Sequence, residues 1–72
     1  MTTTIQQAVK EIRSKVSPDY YIVKNSDGET LREYDYDEYS RMIDWFFRRE
    51  VAKWYTRRSP KTSSLIAYIT LY

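Results

Sequence analysis

Three residues punctuate an otherwise unbroken chain. Pro18, Gly28 and Pro60 are its only backbone breakers, because 72 residues hold one Gly and two Pro. A proline ends regular structure and a glycine permits a sharp turn. These positions leave a run before Pro18, a hairpin-sized segment around Gly28, a long stretch from Tyr36 to Arg58, and a tail after Pro60. No segment is long enough to be a domain, so residues 1–72 are read as one small domain without flexible linkers.

The run before Pro18 has the marks of a helix. Thr4 and Gln7 stand at capping-box spacing. Ile5, Ala8, Val9, Ile12 and Val16 then recur on one helical face. Tyr20 to Val23 is a β-favouring run of aromatic and branched residues. Asn25-Ser26-Asp27-Gly28 is a turn signal, and Glu29 to Tyr34 returns as a second strand. Asp35 and Glu38 repeat the capping spacing at the start of the long stretch. Tyr39, Ile43, Phe46, Phe47, Val51 and Trp54 share a broad helical face there, with Met42 at its edge. That spacing predicts one main helix over about 36–58, closed by Arg57 and Arg58 and stopped at Ser59-Pro60. In the tail, Leu65, Ala67, Ile69 and Leu71 alternate with Ile66, Tyr68, Thr70 and Tyr72. This is a strand with one aliphatic face and one tyrosine-bearing face.

The expected architecture is α+β in the order α-β-β-α-β. A three-stranded, antiparallel-type sheet carries two helices on one face. The last strand is expected beside the hairpin; periodicity leaves its partner and direction open.

Composition removes several function classes. The chain contains no Cys and no His, which excludes disulfides, thiolate nucleophiles and imidazole acid–base chemistry. No stretch approaches the ~18 apolar residues of a membrane span, and the N-terminus lacks a signal-peptide pattern. No membrane association and a cytoplasmic location are therefore the expectation. Net charge is only +2, but it is polarised. Residues 1–40 carry five bases against eight acids, net −3, and residues 41–72 carry seven bases against two acids, net +5.

Two surfaces are candidates for contact. On the predicted main helix, Trp45 points away from the Phe46 face and has Arg41, Arg48 and Arg49 as helical neighbours, with Tyr55 and Arg58 extending the patch. Trp, Tyr and Arg typify the energetic centres of interfaces, although arginines can equally lie over a Trp and shield it. On the sheet, Tyr68 and Tyr72, with Tyr20 or Tyr21 and Tyr34, form a tyrosine face. Such a face can stack on bases, support a homodimer or simply line a half-wet sheet.

Glu50 falls within the predicted apolar helix face and is read as a structural ion pair, with Lys53, Lys10 or Arg13 as partner. Asp35, Asp37 and Glu38 are read as capping residues rather than metal ligands. No cofactor or metal motif is present.

A non-enzymatic module that docks on a larger protein and modulates it is the leading expectation. Accessory inhibitors of phages and plasmids share this profile of a lone domain rich in tyrosine and charge. The alternative is a nucleic-acid-binding protein that uses the basic C-terminal half of the long helix and stacked tyrosines.

Overall fold

The capping box at Thr4 forms as expected, and it directs the chain from a two-residue strand into the first helix. The Thr4 hydroxyl accepts from the Gln7 N–H at 3.2 Å, and Gln7 Oε1 accepts from the Thr4 N–H at 2.9 Å. The computed structural model describes residues 3–72. Its elements are β1 (Thr3–Thr4), α1 (Ile5–Lys15), β2 (Tyr20–Lys24), β3 (Thr30–Asp35), a 3-10 turn (Tyr36–Glu38), α2 (Tyr39–Trp45), β4 (Glu50–Arg58) and β5 (Leu65–Leu71). No helix among the described residues is long and apolar enough to cross a membrane.

The class is α+β, but the sheet is larger than expected. It has five strands in the order β1-β4-β5-β2-β3. The hairpin β2–β3 and the pairs β1–β4 and β4–β5 are antiparallel, whereas β2 and β5 run parallel. The sheet is therefore mixed, not three-stranded and antiparallel. The last strand does lie beside the hairpin. Asp19 fixes that join, because its N–H donates to the Leu65 carbonyl at 2.7 Å and its Oδ2 accepts from the Leu65 N–H at 2.9 Å.

The hairpin turn follows its residues. Gly28 adopts φ +86°, where a side chain would strain the backbone. Asn25 Oδ1 accepts from the N–H groups of Asp27 and Glu29, each at 3.0 Å.

The main correction concerns residues 46–58. The predicted helix stops at Trp45, and Arg49 N–H donates to the Phe46 carbonyl at 2.8 Å as the chain turns into β4. Val51, Trp54, Tyr55 and Thr56 favour a pleated strand. Pairing along β5 gives their backbone a full ladder, which outweighs the weak helical preference of the same residues. With the helix gone, Glu50 leaves the core. It is exposed at the first position of β4, and its carbonyl accepts the Tyr72 N–H at 3.1 Å. No ion pair involving Glu50 occurs among the described residues. Pro60 lies in the turn between β4 and β5 instead of ending a helix.

One core unites the layers. Ile5, Ala8, Val9 and Ile12 of α1 and Met42 of α2 pack with Phe46 and with the inward residues of four strands. Those strand residues are Tyr21, Val23, Tyr34, Val51, Ala67, Ile69 and Leu71. The helices thus lie on one face of the sheet, and the other face has no covering layer among the described residues.

Candidate functional site

Strand parity sorts the tyrosines. Tyr21 and Tyr34 face each other across β2–β3 and are buried, so neither belongs to the outer face. Tyr20, Ile22 and Lys24 alternate outward on β2, Ile66, Tyr68 and Thr70 on β5, and Lys53, Tyr55 and Arg57 on β4. Tyr55 therefore leaves the helix patch in which spacing placed it and joins Tyr68, its cross-strand partner. Their rings stack with centroids 4.9 Å apart and an interplanar angle of 16°. The Lys24 ammonium lies over the Tyr68 ring at 4.9 Å. A pair of this kind exceeds simple area burial by roughly 0.5–1.5 kcal/mol.

The second surface is the corner where α2 meets β4. Trp45 is 63% exposed and Phe47 is 59% exposed. Helical spacing places Phe47 on the core face beside Phe46; only Phe46 is buried, at 5% exposure. The short helix explains the split: Phe46 is its C-cap and its N–H still donates to the Met42 carbonyl, whereas Phe47 lies beyond that last turn. Arg32 of β3 covers the Trp45 ring at 4.2 Å, and Arg48 lies over Phe47 at 5.2 Å. The arginine on Trp45 thus comes from the hairpin and not from the helix. Alternation could have indicated Arg32, because it shares the inward parity of Tyr34 on β3. Arg41 pairs with Glu38 at 3.4 Å on an exposed surface, a contact worth little to stability. Arg32, Trp45, Glu38 and Arg41, together with Glu33, Tyr34 and Asp44, line an open concavity of about 450 Å³.

The other predicted residues divide between these places. Arg49 Nη2 donates to the Tyr72 carbonyl at 3.3 Å, which ties Tyr72 to the segment after α2, and the Tyr72 ring is exposed. Arg58 donates through Nη1 to the Ser63 carbonyl at 2.5 Å and closes the β4–β5 turn, where Ser63 has φ 59°. Arg58 belongs to neither surface. The basic C-terminal half of a helix does not exist; its charges sit on β4 and in the turn before it. Glu38 serves as a cap, accepting the Asp35 N–H at 3.2 Å.

A half-buried cation joins α1 to the sheet. The Arg13 guanidinium sits 4.1 Å from the Tyr36 ring centroid and 4.0 Å from that of Tyr39. It donates to the Tyr21 hydroxyl at 3.3 Å and to the Tyr36 carbonyl at 3.4 Å. The Tyr21 contact holds the Arg13 pKa above its ordinary value, against the effect of desolvation. Burial pushes the Tyr21 hydroxyl up, with the Arg13 hydrogen bond opposing, and burial likewise raises Tyr34.

These shifts fix the sign of an alkaline effect. Below the usual tyrosine pKa of about 10, folded and unfolded chains hold the same phenolic protons. Above it the unfolded chain releases protons that the folded chain keeps, so stability falls as pH rises through the folded-state values. Urea unfolding at pH 7, 8 and 11 should show the midpoint constant between the first two and lower at the third. The double variant Tyr21→Phe, Tyr34→Phe should flatten that decline; an equal decline in the variant would assign it elsewhere. No known family's sequence profile matches the chain, nor does any curated protein or solved structure.

Proposed function

We propose that the chain is a non-enzymatic binding module that docks on a larger protein and modulates it through the α2–β4 corner. One observation carries this reading. Two large aromatic side chains, Trp45 and Phe47, are more than half exposed within three residues, and each has an arginine over its ring. Exposing Trp and Phe at one corner costs solvation that a lone monomer gains nothing from. The arginines hold the rings in place, so less side-chain freedom is lost on binding. Trp and Arg also dominate the few residues that carry most interface energy. The groups assembled here offer stacking, apolar contact and charge, all of which serve recognition.

The test is the double variant Trp45→Ala, Phe47→Ala. Its urea midpoint should stay within about 0.5 kcal/mol of the parent, as for other surface changes. Affinity for a protein captured from the source organism's extract should fall at least thirtyfold, the effect of losing about 2 kcal/mol at a hot spot. Unchanged capture overturns the reading, and so does a variant that unfolds readily.

A further inference from the structure

The uncovered face of the sheet lies on the opposite side from the helices and carries a different chemistry from the corner. On β4 it reads Lys53, Tyr55, Arg57 at every second residue. Lys53 and Arg57 therefore lie about 13 Å apart along the strand, with the stacked ring of Tyr55 midway. Each end of the Tyr55–Tyr68 stack opens into a basic concavity. One, of about 210 Å³, is lined by Lys24 and Lys53 together with Asn25, Ser26 and Tyr55. The other, of about 270 Å³, is lined by Arg57 and Lys61 together with Pro60 and Tyr68. No carboxylate lines either one. Of the acids on this face, Glu33 and Asp35 stand on β3 at the far edge of the sheet from β4, and Glu50 stands at the start of β4, outside both hollows.

We infer that this face is a platform for single-stranded nucleic acid, with a base stacked on the face of Tyr55 that Tyr68 does not cover, Tyr68 backing that ring, and phosphates held by Lys24, Lys53, Arg57 and Lys61. Charge complementarity selects the occupant. A second copy of the chain would bring the same four cations against themselves. A neutral apolar partner would leave them without counter-charges. An aromatic pair between two cationic hollows suits a polymer that alternates flat bases with anionic links. A duplex keeps its bases stacked inside and cannot offer them to the rings. The carboxylates on β3 repel phosphate and confine the strand to the β4–β5 half.

Fluorescence anisotropy with labelled oligo(dT) and oligo(U) decamers tests this. Four phosphate contacts give a slope of about −2.8 in log affinity against log salt for a single strand, or roughly fiftyfold weakening from 50 to 200 mM. Lys53→Gln with Arg57→Gln should halve that slope, leaving about sevenfold weakening. Tyr55→Ser with Tyr68→Ser should lose about tenfold at fixed salt and keep the slope. Tyr55→Ser alone, at an exposed position, should show part of that loss if the double variant folds poorly. Preference for oligo(U) or for oligo(dT) supports the platform and names RNA or DNA as its ligand. Trp45→Ala, Phe47→Ala should bind both oligomers as the parent does, which separates this face from the corner. The inference is overturned if neither oligomer binds at 50 mM salt. It is also overturned if an abasic decamer or a duplex binds equally well, or if a poly-glutamate peptide binds the same face more tightly and so assigns it to an acidic protein segment.

Discussion

Replacing Arg13 with alanine is expected to cost about 2 kcal/mol of folding stability, read as a lower urea midpoint with an unchanged slope. Arg13 ties three elements together. It projects from α1, lies between the rings of Tyr36 and Tyr39, and donates to the hydroxyl of Tyr21 on β2. A partly desolvated cation over aromatic rings contributes about 1–2 kcal/mol. The hydroxyl of Tyr21, inside the core, would lose its hydrogen-bond donor, at a cost of about 1–3 kcal/mol if water cannot replace it. These terms overlap because one side chain makes every contact, so they do not simply add. A chain of this length has about 4–11 kcal/mol of total stability, and the loss would be a large share of it. Arg13→Lys separates charge from shape. Lysine keeps the positive charge but lacks the flat fork that fits between two rings. It should recover less than half of the loss. Full recovery would mean that charge alone matters, and a loss under 0.5 kcal/mol for Arg13→Ala would show the cluster to be dispensable.

Local chemistry explains why some elements could be read from sequence and one could not. Thr4 and Gln7 cap α1 through contacts three residues apart, and Asn25 with Gly28 shapes the hairpin within five. The inward face of β5 is visible as strict alternation from Leu65 to Leu71. The stretch after Trp45 differs because its apolar residues satisfy two periods at once. Phe46, Phe47, Val51 and Trp54 fit a helical face, and no Gly or Pro marks the break. The strand period of β4 is masked at both levels. Trp54 and Tyr55 put an aromatic ring on each face, and the pairing register shifts between Val51 and Lys53. What decides the matter is the ladder to β5, a contact that no local window contains.

The site inherits the same division. Trp45 and its exposure were legible, as were the outward tyrosines of β5, because each depends on position within one element. The partner of Trp45 was not, since Arg32 reaches it from a different strand. Tyr55 and Glu50 fall in other places than helical spacing predicts for one reason, that residues 50–58 form a strand. Once β4 is a strand, Lys53, Tyr55 and Arg57 fall on one face, and a charge run that looked like a solvated helix end becomes a basic, aromatic row.

Ile69→Ala should be the more damaging of two neighbouring tests on β5, costing about 3–4 kcal/mol against about 1 for Ile66→Ala. Ile69 sits on the central strand, opposite Val23 of β2 and Trp54 of β4, and is fully buried. Removing its branched side chain leaves a hole that flanking strands cannot close without breaking their ladders, so the cost falls in the upper part of the 2–5 kcal/mol range. Ile66 lies on the uncovered face and is half-buried, so water already reaches part of it. For a domain this small each kcal/mol lowers the melting temperature by about 4–8 °C. The two variants should therefore melt at least 8 °C apart, with Ile69→Ala the lower. Equal losses would mean that both faces of β5 are covered, and the open tyrosine platform would then not exist. A large gap requires that helices screen one side only, which is the condition for Tyr55 and Tyr68 to meet a ligand.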